Sequence, residues 1–180
     1  MRIFYLEDDP CAVSLPLNYL QSYGHEVFLA TNLNKAVELL HYNPKADSFH
    51  KYFFDVSLPA EIVFYPNEKN PYSYNCKEGL NGVRFLLHNV RHLDRHNSLA
   101  SNVAIITAHT NRVRKMPPIN MNGVLFEVET LASQKQRHMK GDYRVPQIAF
   151  KANTQEEYTF SLLDKASEDI MTQIKDFVSC

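Results

Sequence analysis

The chain has 180 residues, of which 44% are apolar, and its 19 lysines and arginines nearly balance its 20 aspartates and glutamates. At this length we expect one domain spanning residues 1–180, and a net charge of −1 provides no overall attraction to nucleic acid or anionic membranes. The three cysteines are widely spaced and form no CxxC pair, which supports neither a disulfide framework nor a zinc knuckle. No window is long and apolar enough for a transmembrane helix, and we expect a cytoplasmic protein.

Apolar periodicity predicts five strands that alternate with helices. The strand candidates are short apolar runs that end in polar residues, as is typical of buried parallel strands. They cover residues 3–6, 25–31, 51–56, 102–107 and 147–150. Helical spacing is found at residues 10–23, 36–40 and 82–92. Thr154 and Glu157 form a capping-box pattern, which predicts a long closing helix after the fifth strand.

This alternation predicts an α/β fold, namely a doubly wound, five-stranded parallel sheet with helices on both faces. Two insertions interrupt it. Residues 58–78, after the third strand, lose periodicity and are rich in proline and aromatic residues, which predicts a long loop. Residues 110–145, after the fourth strand, contain an additional strand candidate at 124–128. Because ligands bind at the carboxyl ends of the strands in such sheets, the residues that end each strand are the candidates for a site.

Charged and hydroxyl side chains follow four of the five predicted strands. In chain order, the residues at these strand ends are Glu7, Asp8, Asp9, Asp55, Thr107, Ala108 and Lys151. Closely spaced carboxylates repel one another, and a hard divalent cation such as Mg²⁺ commonly neutralises them. A metal, a lysine and a hydroxyl together are suited to phosphoryl transfer, in which charge on the phosphoryl oxygens must be neutralised.

Five motifs, in this order along the chain, resemble the receiver domain of two-component response regulators, which has a flavodoxin-like fold. They are IFYLEDD, FFDVSLP, GLNGVRFLL, AIITAH and IAFKANTQEE. The resemblance covers most of the chain apart from the two insertions. It implies a stand-alone receiver that takes a phosphoryl group from a histidine kinase or phosphotransfer protein and signals through protein–protein contacts. Such a receiver modifies itself and is not a turnover enzyme.

The resemblance also assigns a role to each acidic residue. Asp55 is then the phosphoacceptor. Asp8 binds Mg²⁺ directly and Glu7 binds it through water, while Asp55 and the backbone carbonyl of Ser57 provide further ligands. Asp9 has no part in the site and instead supports the start of the first helix, where a negative charge is favourable.

The phosphoryl-binding positions implied by the resemblance are Thr107, Ala108 and Lys151, with the Lys151 ammonium paired to the phosphoryl group. A second alignment treats residues 123–127 as the fifth strand and places Glu127 where the lysine belongs, which would make a defunct site. We favour Lys151 because the capping box and the predicted long helix follow it directly.

The chain departs from the family pattern at two positions, where Ala152 replaces the proline after the lysine and Ile148 replaces the switch aromatic. These departures favour an alternative function, a degenerate receiver that acts as a non-phosphorylated interaction module. A Mg²⁺-dependent phosphohydrolase is less favoured, because such enzymes commonly use an acid two residues after the nucleophilic aspartate, where this chain has Ser57. Because the chain ends with the predicted closing helix, we expect no DNA-binding domain and no membrane contact. We leave open whether the chain forms a homodimer.

Three histidines of the third predicted helix lie four residues apart, at His88, His92 and His96. This spacing aligns them on one helical face, where imidazoles could bind a transition metal. A solvated helix end is the simpler interpretation, because arginines lie between them.

Overall fold

The computed structural model describes residues 1–43, 49–66, 68–76, 79–93, 99–129 and 145–179. These residues fall into two units, Met1–Phe85 and Leu86–Cys180. Within the described part of the chain, no helix has the length and apolar character needed to cross a membrane. The expectation of one domain over residues 1–180 stays a prediction.

Three parallel strands form the centre of the first unit. They are β1 (Arg2–Leu6), β2 (Glu26–Ala30) and β3 (Lys51–Asp55), and they pair in the order β2-β1-β3. Both pairings are parallel, with Leu6 opposite Ala30 on one side and opposite Phe54 on the other. Every residue of β3 is buried, which is consistent with the uninterrupted aromatic run at residues 52–54 between its charged ends.

Helices connect these strands. The helix α1 (Pro10–Ser22) begins where the Asp9 carboxylate accepts a hydrogen bond of 2.9 Å from the amide of Cys11, and proline occupies its first turn. This confirms the predicted role of Asp9 at the start of the first helix. The short helix α2 (Leu33–Val37) is capped by Asn32 and continues into a π-helical turn over Glu38–Tyr42.

The first insertion contains a hairpin where the sequence predicted a loop. Its strands are β4 (Glu61–Val63) and β5 (Tyr72–Tyr74), which pair antiparallel. The hydroxyls of Tyr65 and Tyr74, both buried, share a hydrogen bond of 2.7 Å. Both tyrosine rings also pack against Phe85, so the aromatic residues attach the insertion to the helix that follows it, α3 (Asn81–Leu93).

The second unit combines one parallel pair with three antiparallel pairings. Its strands pair in the order β6-β10-β9-β8-β7, and only the pair formed by β6 and β10 is parallel. The strands are β6 (Val103–Thr107), β7 (Ile119–Met121), β8 (Val124–Val128), β9 (Gln147–Ala152) and β10 (Glu157–Asp164). The helices are α4 (Leu99–Asn102), α5 (Thr110–Arg114) and α6 (Ile170–Ser179).

The predicted closing helix after Thr154 is wrong, because residues 157–164 form a strand. Residues 160–163 are all buried and Tyr158 is buried too, the pattern of a strand covered on both faces, which the helical interpretation overlooked. The apparent capping box lies in the turn between β9 and β10, where Gln155 adopts a left-handed conformation with φ of 72°. The last parallel strand is therefore β10, and α6 begins only at Ile170.

The α/β class and the parallel pairing are confirmed, and the order β2-β1-β3 is the one found in flavodoxin-like folds. Additional strands follow the third and fourth predicted strands, as expected: β4 and β5 follow β3, and β7 and β8 follow β6. Because β9 also precedes the last parallel strand, the second insertion extends beyond its predicted end at residue 145. The extra strand at 124–128 is confirmed as β8. Residues 130–144 of the second insertion lie outside the described residues.

Candidate functional site

Three carboxylates meet at the carboxyl ends of two neighbouring strands in the first unit. Glu7 and Asp8 follow β1, and Asp55 ends β3, which is parallel to it. One carboxylate oxygen from each of the three lies within 4.8 Å of the others. Glu7 and Asp55 are 2% and 4% exposed, whereas Asp8 is exposed. The predicted convergence of these acids is therefore present, and we call the three residues the acid cluster.

Backbone amides orient two members of the acid cluster. The amide of Ser57 donates a hydrogen bond of 3.0 Å to Oδ2 of Asp55, and the amide of Asp9 donates a longer one of 3.4 Å to Oε1 of Glu7. The amide of Glu7 itself donates to the carbonyl of Ala30, at the end of β2. The two buried carboxylates are thus held by the chain that immediately follows each strand.

A buried tyrosine interacts electrostatically with two members of the acid cluster. Tyr5 is 1% exposed, and its ring stacks on that of Phe53 with centroids 5.0 Å apart. Burial raises the pKa of Tyr5 far above its ordinary value, and the negative charges of Glu7 and Asp55 raise it further. The phenol therefore stays protonated at neutral pH, and Tyr5 adds no charge to the acid cluster.

The start of α3 approaches the backbone of Asp55 closely. A Cβ atom at Gly82 would overlap the carbonyl oxygen of Asp55, so only glycine fits there without a shift of the helix or the strand end. The Gly82 amide donates a hydrogen bond of 3.1 Å to the carbonyl of Val56. The sequence motif GLNG is thus explained by a close backbone contact at the acid cluster.

Thr107 ends β6 in the second unit, and Ala108 directly follows the strand. Thr107 is 1% exposed, and its hydroxyl oxygen accepts a hydrogen bond of 3.0 Å from the amide of His109. Ala108 is exposed. Thr107 lies opposite Asp164, the last residue of β10, and the Thr107 carbonyl accepts a hydrogen bond from the amide of Lys165. The predicted hydroxyl therefore lies at a carboxyl strand end, as expected.

The structure contradicts the predicted position of Lys151. This residue lies on β9, which runs antiparallel to β10, and it faces Glu157 at the start of that strand. Thr107 faces the end of the same strand, which at eight residues spans roughly 23–27 Å. Lys151 and Thr107 are therefore at opposite edges of the second unit's strands. The alternative at Glu127 is wrong for the same reason, because Glu127 lies on β8 directly opposite Lys151.

Another lysine that the sequence interpretation did not consider, Lys165, lies beside the end of β6, where its amide bonds the Thr107 carbonyl. It directly follows β10, the strand that is parallel to β6, and it is partly buried. A signal was available, because the run FSLLDK closes on charged residues in the same way that IFYLED does. The departures from the family pattern persist in this alignment. Ala166 follows the lysine, and Leu162 lies three residues before it.

The histidine cluster receives no support as a metal site. His88 and His92 lie on α3, and His96 falls outside the described residues. Among the described residues, one group of acidic, histidine or cysteine side chains has three ligand atoms close enough to share a metal ion. It consists of Glu7, Asp8 and Asp55. Their oxygen donors are of the type that Mg²⁺ prefers.

No known protein-family profile matches the chain, and no curated protein matches it. Among solved structures, the N-terminal domain of a response regulator/sensory box/GGDEF protein from Carboxydothermus hydrogenoformans is 18% identical, over 68% of this chain and 72% of that chain, with a TM-score of 0.37. Response regulator TrrA from Thermotoga maritima, in complex with Mg²⁺-BeF, is 16% identical over 64% and 76%, with a TM-score of 0.42. Chemotaxis protein CheY4 from Vibrio cholerae is 16% identical over 59% and 68%, with a TM-score of 0.38. At these scores the function has to be argued from the chain's own residues.

Proposed function

We propose that the chain is a receiver that accepts a phosphoryl group on Asp55 and signals through protein–protein contacts. The observation that carries this proposal is the acid cluster, in which two buried carboxylates and one exposed carboxylate meet at adjacent parallel strand ends. Carboxylates this close are unfavourable without a cation. The receiver motifs at the ends of β1 and β3 give the same residues their roles.

The donor set fits Mg²⁺, since all three side chains offer oxygen and one of them remains accessible from solvent. Asp8 and Asp55 would bind the ion directly, Glu7 would bind it through water, and the Ser57 carbonyl would provide a further ligand. When bound, Mg²⁺ neutralises charge on the phosphoryl oxygens.

The remaining chemistry belongs to the chain itself. A carboxylate oxygen of Asp55 forms a bond to phosphorus while the N–P bond of a phosphohistidine donor breaks, and the released imidazole leaves with the donor protein. The Ser57 amide holds Oδ2 of Asp55 at 3.0 Å and so fixes the orientation of the carboxylate before the reaction. By the resemblance to receivers, a threonine would hydrogen-bond and a lysine would ion-pair with the phosphoryl oxygens. We assign these roles to Thr107 and to Lys165 instead of Lys151, because Lys165 follows the strand that is parallel to β6.

A second candidate function is an interaction module that is never phosphorylated. Two observations favour it, namely Ala166 in place of the proline after the lysine and Leu162 in place of the switch aromatic. In this case the acid cluster would be a remnant. The partner would then bind the module regardless of Mg²⁺ or a phosphoryl donor.

Intact mass spectrometry after incubation with acetyl phosphate and Mg²⁺ separates the two functions. We expect the wild type to gain one phosphoryl group, Asp55→Asn to gain none, and chelation of Mg²⁺ to abolish the gain. The matched control is Asp9→Asn, because Asp9 is the next acid in the chain and asparagine caps a helix as well as aspartate does. A folded wild type that stays unlabelled under these conditions would favour the interaction module.

A further inference from the structure

Both ends of the first insertion meet at one buried side chain, that of Asn81. Its Nδ2 donates a hydrogen bond of 2.9 Å to the carbonyl of Leu58, which lies three residues after Asp55. Its Oδ1 accepts a hydrogen bond of 2.8 Å from the amide of Cys76, where the inserted segment returns. Asn81 is 2% exposed, so neither hydrogen bond is readily replaced by water.

The same helix start also holds the chain on the other side of Ser57. The amide of Gly82 donates to the carbonyl of Val56 at 3.1 Å. The carbonyls of Val56 and Leu58 are therefore both fixed by the first two residues of α3. Ser57 lies between them, and its amide donates to Oδ2 of Asp55. Hydrogen bonds thus connect Asn81 through this short loop to the carboxylate of Asp55.

We propose that Asn81 is a positioning residue that closes the insertion and holds the loop after Asp55 in the geometry that the acid cluster needs to bind a cation. This inference rests on the proposed function. It adds a residue that contacts neither the metal nor the phosphoryl group. It also assigns a role to the contact with Cys76. Through this contact and the one with Leu58, Asn81 fixes both ends of the inserted segment at one point beside the loop that follows Asp55.

The chemistry of the side chain explains why asparagine is suited to this position. One contact requires a donor and the other an acceptor, and the amide group supplies both from a single side chain. Aspartate retains the acceptor for the Cys76 amide but has no donor for the Leu58 carbonyl. Alanine loses both contacts and leaves two backbone groups without their partner in a buried setting.

The test compares Asn81→Asp and Asn81→Ala with Asn89→Ala in the full chain. Asn89 is also 2% exposed and lies on the same helix, about 12 Å further along its axis. Three quantities are measured for each variant: the urea midpoint of unfolding, the Kd for Mg²⁺ by titration calorimetry, and amide hydrogen exchange of residues 58–76 without metal. We expect both Asn81 variants to speed exchange across the insertion and to raise the Kd for Mg²⁺ about tenfold, because groups that orient metal ligands have effects of this size.

The control is expected to lower the urea midpoint while leaving the Kd for Mg²⁺ and the exchange of residues 58–76 unchanged. If the Asn81 variants behave in the same way as the control, Asn81 serves stability only and the proposal is wrong. If the wild type itself does not bind Mg²⁺, the proposed function fails instead. In that case the exchange rates still decide whether Asn81 closes the insertion.

Discussion

The two units differ in where they place their strand-end charges. In the first unit β2, β1 and β3 are all parallel, so the residues that follow β1 and β3 meet at one edge and form the acid cluster. In the second unit three of the four pairings are antiparallel, so consecutive strands end at opposite edges. A charged residue at a strand end therefore indicates a shared site only where the strands run in the same direction.

The largest effect that follows from this comparison concerns the two lysines of the second unit. Lys165 follows the strand parallel to β6, whereas Lys151 lies on an antiparallel strand and faces Glu127 and Glu157. We expect Lys165→Ala to slow labelling by acetyl phosphate about 100-fold, since an ammonium that stabilises transferred charge has effects of this order. Lys151→Ala should label at the wild-type rate. If Lys151→Ala is labelled slowly while Lys165→Ala is labelled at the wild-type rate, the assignment of Lys165 is wrong.

The same contrast shows what the sequence could and could not predict. The acid cluster was predictable because each of its strands is a short apolar run that ends in an acid, and parallel order brings those ends together. Strand direction has no such local pattern. Residues 147–150 and 160–163 are both buried strand segments, and only the tight turn at Gln155 shows that the second strand reverses the first.

The proposed role of Asn81 could not be predicted from the sequence either. A polar residue at a helix start is ordinary. Its partner Leu58 lies 23 residues earlier, on the other side of the insertion, and Cys76 lies five residues earlier in a segment with no periodic pattern. The hairpin of the first insertion was missed for a related reason. Its strands are three residues long, too short for a periodic pattern, and a pair of buried tyrosines stabilises it instead.

The next prediction tests whether gathering charge at one edge destabilises the first unit. Asp8→Asn removes one of three carboxylates whose oxygens lie within 4.8 Å, so it should raise the free energy of unfolding without metal by about 1 kcal/mol. The same change should weaken Mg²⁺ binding about tenfold or more. Urea unfolding with and without Mg²⁺ measures both quantities, and Asp9→Asn is the control. A variant that loses stability without metal would show that the cluster is not under electrostatic strain.

A smaller effect is expected where the first insertion contacts α2. The Glu61 carboxylate accepts hydrogen bonds from the amides of Leu33, at 2.7 Å, and Asn34, at 3.3 Å. Glu61→Gln should lower the free energy of unfolding by about 1 kcal/mol, because amide bonds to a partly buried charge are weakened. Glu38→Gln is the control, since the Glu38–Lys35 pair is exposed and should contribute only about 0.3–0.5 kcal/mol. Equal losses in the two variants would remove any special role for Glu61.

The smallest effect belongs to the turn between β9 and β10, and it depends on pH. Hydrogen bonds from Tyr158, Thr154 and Arg91 hold the pKa of Glu156 below its ordinary value of 4.5. Because the folded-state pKa is lowered, the ionised carboxylate stabilises the fold at neutral pH. That contribution is lost as the pH falls below 4.5 through the folded-state pKa.

Glu156→Gln should therefore flatten the fall of the thermal midpoint between neutral pH and the region below pH 4.5. Arg91 donates to Glu156 at 3.3 Å from an exposed position, so Arg91→Gln should flatten the same curve to a lesser extent. The double variant should add little to Glu156→Gln alone, because Arg91 and Glu156 bond each other and both bond Tyr158, so they belong to one network. If the two changes in the pH dependence of the thermal midpoint are additive, each charge acts through other partners. The contact between Arg91 and Glu156 would then not stabilise the turn.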